Sequence, residues 1–129
     1  MSAQKTPYEL IGGADKVNTL VDRFYDLMAL EDLFADLRVM HPSDLTISRE
    51  KLKLFLIGWM GGPDVYSPKY GHPMLRARHL PFKIGLKERN LWLACMYRAI
   101  EDCGIEGEFA TRLEESLFNT ADWMRNQPS

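Results

Sequence analysis

The residues best arranged for chemistry lie in one stretch, Tyr70 to Gly85, which reads YGHPMLRARHLPFKIG. Proline can begin a helix but cannot continue one, so the two prolines of its middle part predict a short helix over residues 74–80. His79 would lie at the C-terminal end of that helix. A neutral imidazole held there can bind a metal, and Arg76 and Arg78 could neutralise an anionic cofactor. The alternative is a partly exposed loop histidine without a ligand.

Other kinds of catalytic site have little support. The chain contains no HExxH, CxxC, P-loop or GxSxG motif, and His41, His72 and His79 lack the spacing of a metal-ligand set. Cys95 and Cys103 fall in one predicted helix, about 12 Å apart along its axis, which is too far for a disulfide. We expect both cysteines to be free thiols.

Composition limits the classes of protein to which the chain can belong. The chain has 129 residues, of which 46% are hydrophobic and 26% charged, with a net charge of −2. These values are typical of one globular domain, here residues 1–129, and give no indication of nucleic-acid binding. No apolar run approaches a membrane span, and the first ten residues lack the apolar core of a signal peptide. The expected location is therefore the cytoplasm.

The positions of apolar residues predict helices throughout. Apolar side chains recur three and four positions apart, as on one face of a helix, and no segment alternates as a strand would. Asp15 and Ser48 are plausible N-caps, and residues 64–71 are expected to form an irregular connection. The class is all-α. The predicted helices span residues 7–11, 16–28, 30–37, 49–60, 74–80, 86–102 and 107–125.

Large apolar and aromatic side chains lie on the helix faces that must meet. A flat, mostly apolar cofactor would fit between the helix that carries Leu52 and Phe55 and the helix that carries His79. Iron protoporphyrin is such a cofactor, and a single neutral histidine is its usual ligand in oxygen-binding proteins. In the short helix we expect Met74 and the stems of its arginines to pack inward, with the guanidinium groups in water.

Four groups of residues carry a resemblance to a known family. They are Gly12-Gly13, the RFY of residues 23–25, the run GGPDVYSPKYGHPMLRARHLPFKIG from Gly61, and ERNLWLACM from Glu88. In this order they resemble a truncated (two-on-two) hemoglobin of the second group, over nearly the whole chain and most specifically from Gly61 to Met96. The resemblance implies a shortened globin fold, with two pairs of antiparallel helices crossed over one another around heme b.

The resemblance also implies the residues that hold the heme. His79 would be the proximal ligand of the iron, with its second ring nitrogen bonded to a backbone carbonyl. Arg78 and Lys51 would pair with the heme propionates. Exposed pairs of this kind are worth about 1 kcal/mol or less, so they should orient the heme more than retain it. The other implied heme contacts are Phe55, Tyr66, Phe82 and Met96.

On the opposite face, the resemblance implies that Tyr25 and Trp92 lie beside the bound ligand, in a pocket that Phe24, Leu52, Phe55 and Met96 also line. Each carries a hydrogen-bond donor on a large apolar body. An unpartnered donor in an apolar pocket costs about 1–3 kcal/mol, so a polar ligand is a natural partner. Dioxygen would accept such bonds, whereas carbon monoxide accepts them poorly. The alternative is that both residues are ordinary core aromatics.

Three further residues qualify this picture. Ser48 falls where many globins place a distal histidine, but its side chain is short, so the ligand-binding role passes to Tyr25 and Trp92. His41 has three open roles: it bonds the ligand or Tyr25, it binds the iron in the empty protein, or it is a half-exposed histidine before a proline. His72 is expected to cap a turn.

Three functions are consistent with these residues. The first is reversible dioxygen binding, and the second is oxidation of nitric oxide or reduction of peroxide, which would need a reductase. The third is a helical interaction module without a cofactor, which is disfavoured because His79, Tyr25 and Trp92 occur together. A ligand held by two donors should leave slowly, which suits scavenging, sensing or redox chemistry better than bulk oxygen delivery.

Overall fold

The structure is a computed structural model that describes residues 5–128. Residues 1–4 and Ser129, which belong to the predicted domain, lie outside the described residues. Between residues 5 and 128 the chain forms helices and no strand, which confirms the all-α prediction. The α-helices are α1 (Pro7–Ile11), α2 (Ala14–Leu30), α3 (Ala35–Arg38), α4 (Thr46–Trp59), α5 (Ser67–Tyr70), α6 (Leu75–His79), α7 (Leu86–Asp102) and α8 (Gly107–Trp123), and a 3-10 turn spans Asp32–Phe34.

The predicted starts of α2 and α4 were wrong by a few residues. Gly13 is the residue before α2, so Asp15 lies inside the first turn, where its carboxylate interacts favourably with the helix dipole. The first turn of α4 already contains Ser48, because the helix begins at Thr46. The Thr46 N–H donates to Asp44 Oδ1 at 2.9 Å, so Asp44 supplies the polar contact that we expected from Ser48.

Two connecting segments also differ from the prediction. The helix predicted over residues 30–37 is divided between the 3-10 turn and α3. Residues 64–71 were expected to be irregular, but they contain α5. Its first residue, Ser67, donates its backbone N–H to Asp64 Oδ1 at 3.0 Å, and a proline occupies the first turn. A helix of four residues has too few positions to show a hydrophobic period, which explains why the sequence did not reveal it.

The longer helices form two pairs. Helix α2 packs against α4, α7 packs against α8, and an extensive contact between α2 and α7 joins the pairs. The α2–α7 contact is fully buried and includes Val21, Phe24, Met96 and Ala99. The α2–α7 contact leaves no space between these two helices. It closes one side of the cavity that lies between α4 and α6, described below. Within residues 5–128, no helix combines the length and apolar character that a membrane crossing requires.

The short helix α6 is one residue shorter at each end than the predicted range 74–80. Met74, its N-cap, has a left-handed backbone conformation with φ +44° and ψ +50°. Its side chain is 57% exposed, so the expectation that Met74 packs inward was wrong. A side chain in this conformation brings Cβ close to the following carbonyl, a strain that glycine avoids.

We therefore expect Met74→Gly to raise the free energy of unfolding by about 0.5–1 kcal/mol, because relief of the strained backbone exceeds the extra freedom that glycine gives the unfolded chain. Ala77→Gly, in the middle of the same helix, is the matched control and should lower it by up to about 1 kcal/mol. Urea unfolding followed by circular dichroism measures both. A destabilised Met74→Gly variant would contradict the assignment of strain.

Candidate functional site

A cavity of about 380 Å³ lies between α4, α6, α7 and the C-terminal part of α8. Its size is in the range of small-molecule and cofactor pockets, and most of its wall is apolar. It brings together ten of the eleven residues predicted for the site, although they come from distant parts of the chain. The ten are Tyr25, His41, Lys51, Leu52, Phe55, Tyr66, Arg78, His79, Phe82 and Trp92.

The orientation of His79 suits a metal ligand. Its Nδ1 lies 2.7 Å from the Leu75 carbonyl oxygen, one turn earlier in α6. When Nδ1 carries the proton and donates to this carbonyl, Nε2 keeps its lone pair free. Since His79 lines the cavity, Nε2 is the ring nitrogen available to a metal there.

The arginines of α6 bond to the protein, contrary to the expectation that their guanidinium groups remain in water. Arg76 Nη1 donates to the Trp123 carbonyl at 2.6 Å and to the Arg125 carbonyl at 3.1 Å. Arg78 donates to the Tyr66 hydroxyl at 3.0 Å and to the carbonyls of Tyr70 and His72. A five-residue helix is marginal by itself, so these bonds help to fix α6 against its surroundings.

Two cations and two tyrosines line or border one edge of the cavity. The Arg78 guanidinium lies 5.8 Å from the centre of the Tyr66 ring, and Lys51 Nζ lies 5.1 Å from the centre of the Tyr70 ring. The Tyr70 hydroxyl donates to Glu50 Oε2 at 2.7 Å, which fixes the ring under Lys51. This edge can pair with carboxylates of a cofactor, as predicted for the propionates.

Across the cavity, Tyr25 presents a hydroxyl that makes no hydrogen bond within residues 5–128. Burial raises the pKa of Tyr25 far above its ordinary value, so the hydroxyl stays protonated and is a donor at neutral pH. Trp92 lines the same cavity. The Phe24 ring lies 5.0 Å from the Tyr25 ring and 5.3 Å from the Trp92 ring, and it packs behind both.

A cation that the sequence analysis missed lies behind Tyr25. The Arg49 guanidinium is 5.7 Å from the centre of the Tyr25 ring. It donates to Asp26 Oδ1 at 2.8 Å and to Asp22 Oδ1 at 3.1 Å, and both carboxylates belong to α2. The only available signal was the spacing of two aspartates around Tyr25 on α2, and it does not identify their partner on α4.

His41 is fixed more firmly than its place before a proline suggested. Its Nδ1 lies 3.0 Å from the Leu37 carbonyl oxygen, and its ring meets the Tyr25 ring edge-on at 6.0 Å. Burial lowers the pKa of His41 below its ordinary value of 6.5, and Arg38 and His79 add to this, whereas the bond to Leu37 opposes it. The ring is therefore neutral at pH 7 and faces the cavity beside Tyr25.

Some predicted positions differ from the structure. Met96 and Phe24, which we expected to line the pocket, are fully buried in the α2–α7 contact and do not reach the cavity. Ser48 does line it. His72 lies outside it and accepts the Met74 N–H at 3.3 Å, as expected for a residue that caps a turn. Much of the apolar wall had not been predicted from the sequence, in particular Leu37, Trp59, Leu75, Ile84, Leu117, Ala121 and Met124.

These side chains fit the cofactor that the sequence suggested. An imidazole nitrogen is available on one side, a protonated hydroxyl lies across the cavity, the walls are apolar and two cations lie at the edge. A flat apolar molecule with a metal and peripheral carboxylates matches this set of groups. A polar or highly charged substrate would leave most of the wall unmatched.

Comparison with known proteins agrees with this description. Residues 6–126 match the family described as bacterial-like globin. The group 2 truncated hemoglobin YjbI of Bacillus subtilis (strain 168) is 46% identical over 121 residues, covering 94% of this chain and 89% of that protein. The crystal structure of the group II truncated hemoglobin from Bacillus anthracis is 41% identical, with a TM-score of 0.90 and coverage of 99% and 96% of the two chains.

A third similarity is to the X-ray structure of a truncated oxygen-avid haemoglobin from Bacillus subtilis, at 43% identity, a TM-score of 0.85 and coverage of 95% and 100%. These likenesses extend over nearly the whole chain and confirm the two-on-two globin fold. Globins carry heme and bind small ligands at its iron. With a family match over residues 6–126 and a 46% identical relative, the chain belongs to the group II two-on-two truncated hemoglobins.

Proposed function

We propose that this protein holds heme b through His79 and binds dioxygen between that heme and the donors of Tyr25 and Trp92. The observation that carries the proposal is the presence of the His79 imidazole and the unpartnered Tyr25 hydroxyl in one apolar cavity. When bound, heme would supply an iron centre that takes small diatomic molecules. The protein supplies the fixed imidazole, the apolar walls and the polar groups that choose among ligands.

The distal donors favour dioxygen over carbon monoxide. Tyr25 stays protonated because its pKa is raised by burial, and the indole N–H of Trp92 cannot act as an acceptor. A ligand with partial negative charge can satisfy both donors, whereas a ligand without it leaves them unpartnered in an apolar wall. One relative is described as oxygen-avid, which agrees with slow release of dioxygen.

The edge of the cavity orients the cofactor. We assign Lys51 and Arg78 to the propionates, and Phe55, Tyr66 and Phe82 to contacts with the porphyrin. Arg78 is already held by the Tyr66 hydroxyl at 3.0 Å, so its guanidinium needs little reorganisation. Most of the retention should come from the bond to His79 and from burial of the porphyrin faces.

A redox role with nitric oxide or peroxide is the second candidate. The observation that favours it is again the pair of donors, because a protein that releases dioxygen slowly is poorly suited to delivery but well suited to consuming a second small molecule. Such a role needs a reductase as partner. Carbon monoxide would act as a competing ligand in either case.

Stopped-flow kinetics test these functions. The reduced, dioxygen-loaded protein is mixed with excess carbon monoxide to measure dioxygen dissociation, and separately with nitric oxide to measure its consumption. We expect dioxygen to dissociate slowly from the wild type. Rapid dissociation at the same rate from the wild type and from Tyr25→Phe would contradict the assignment of Tyr25 as a donor. Nitric oxide consumption that continues over many cycles with a reductase present would establish the redox role.

The pH dependence of ligand release should reveal His41. With Nδ1 bonded to Leu37, protonation adds a donor at Nε2, beside Tyr25 and the cavity. Because burial lowers the pKa of His41 below 6.5, this should occur on the acid side of pH 6.5. We expect dioxygen dissociation to slow as pH falls through that region, by up to roughly ten-fold, and His41→Phe to abolish the change.

The matched control for this measurement is His72→Phe, since His72 lies outside the cavity. It should keep the pH profile of the wild type. Superimposable profiles of wild type and His41→Phe would show that His41 has no role in ligand release.

A further inference from the structure

The turn that follows α8 holds the loop that follows His79. Asn126 Nδ2 donates to the Phe82 carbonyl at 2.7 Å and to the His79 carbonyl at 3.4 Å. Asn126 Oδ1 accepts the Ile84 N–H at 3.0 Å, and the Asn126 backbone N–H donates to the Ile84 carbonyl at 2.9 Å. One asparagine thus bonds to three residues of the segment 79–84.

These bonds stabilise the C-terminal end of α6. The last carbonyls of any helix lack intrahelical partners, and a five-residue helix has few internal bonds to keep its end in place. The His79 carbonyl accepts the Phe82 N–H at 3.0 Å, and Asn126 adds a second, longer contact there. Without the Asn126 side chain, only backbone bonds from residues 126 and 127 to the Ile84 carbonyl would attach this loop to the turn after α8.

Arg76 attaches the other face of α6 to the same turn. Its guanidinium donates to the carbonyls of Trp123 and Arg125, so it also bonds the free carbonyls at the end of α8. Two residues that precede Asn126 are therefore fixed to α6 independently. As a result, the position of the Asn126 amide is defined relative to the backbone of His79.

We propose that Asn126 is a positioning residue for His79, which sets the orientation of the imidazole through the amide donor to the Phe82 and His79 carbonyls. The proposal rests on the proposed function of His79 as the iron ligand. Within α6, the bond from Nδ1 to Leu75 limits rotation of the ring. Asn126 fixes the backbone from which that ring projects, so the two contacts together define where Nε2 points.

Three variants separate the contributions. Asn126→Ala removes both halves of the amide, whereas Asn126→Asp keeps an acceptor for the Ile84 N–H and removes the donor to the Phe82 and His79 carbonyls. Gln127→Ala is the matched control. The side chain of Gln127 bonds only to Asn126 Oδ1, at 3.2 Å, among the described residues. Circular dichroism establishes that each variant is folded, and Asn126→Asp carries the test if Asn126→Ala does not fold.

The first readout is the iron–histidine stretching band of the reduced, heme-loaded protein in resonance Raman spectra, and the second is amide hydrogen exchange of residues 80–85. We expect the band to move or broaden in both Asn126 variants and to stay unchanged in Gln127→Ala. The Ile84 amide should exchange about ten-fold faster in Asn126→Ala, since one hydrogen bond is lost, and should stay more protected in Asn126→Asp.

Other outcomes would overturn the proposal. An unchanged band in both Asn126 variants would show that the turn holds the loop without affecting the histidine, whatever the exchange rates. A changed band in Asn126→Ala alone would assign the effect to the Ile84 bond, and a changed band in Gln127→Ala would show that it is unspecific. A wild-type protein without the band would instead contradict the assignment of His79 itself.

Discussion

His79→Gly is expected to leave a helical protein that no longer holds heme in the normal way. His79 is the cavity-lining histidine whose second nitrogen is fixed by its own helix, at 2.7 Å from the Leu75 carbonyl. Loss of a metal ligand removes more than the 10- to 100-fold in affinity that outer partners contribute, so heme affinity should fall by about 100-fold or more. Titration with hemin, followed at the Soret band, measures the loss.

A suitable control is His72→Gly, which removes an imidazole seven residues earlier, outside the cavity. It should bind heme as the wild type does. Free imidazole added to His79→Gly can occupy the space that the side chain leaves, and should restore part of the normal spectrum. An unchanged Soret band and an unchanged carbon monoxide binding rate in His79→Gly would contradict the assignment.

Trp92→Phe should speed dioxygen dissociation by roughly ten-fold to more than a hundred-fold and change carbon monoxide dissociation far less. The change removes a hydrogen-bond donor but keeps a large aromatic ring in the wall beside Phe24. A hydrogen bond to a charged partner is worth about 1.5–3 kcal/mol, and every 1.4 kcal/mol is a factor of ten. Ligand-replacement kinetics with each gas measure both rates.

Trp123→Phe serves as the control, because Trp123 is 60% exposed and lies outside the cavity. Its rates should equal those of the wild type. If Trp92→Phe raises both dissociation rates by the same factor, the indole acts by its bulk and not by donating a hydrogen bond. Tyr25→Phe in combination with Trp92→Phe would then show whether the hydroxyl alone holds the ligand, since coupled donors give non-additive effects.

Much of the fold could be predicted because the long helices carry a clear period, and because prolines and glycines mark the ends of several helices, including the short helix α1. Helix α1 has a proline in its first turn and glycine after its end, and both of its limits agree with the prediction. Both limits of α7, which ends shortly before Gly104, also agree with the prediction. The helices α3, α5 and α6 are four or five residues long, so their limits depend on caps and tertiary bonds that a hydrophobic period does not reveal.

The site was predicted unevenly for a similar reason. A residue such as His79 has few structural roles that explain its place between prolines, and resemblance to a family supplied its function. Met96, which we predicted as a heme contact, is fully buried in the α2–α7 contact. Periodicity shows that it is apolar and faces inward, but not whether it meets helix α2 or a cofactor. Asn126 and Arg49 act through contacts with distant segments, and no local pattern identifies such partners.

The absorption spectrum of the purified protein, titrated with hemin and then reduced and exposed to carbon monoxide, shows whether the chain holds heme through His79. We expect saturation at one heme per chain, an intense Soret band, and a shift of that band when carbon monoxide binds to the reduced protein. The same titration of His79→Gly should show neither tight saturation nor the normal reduced spectrum. A wild-type chain that stays folded but takes up no heme, or takes it up equally well without His79, would contradict the account.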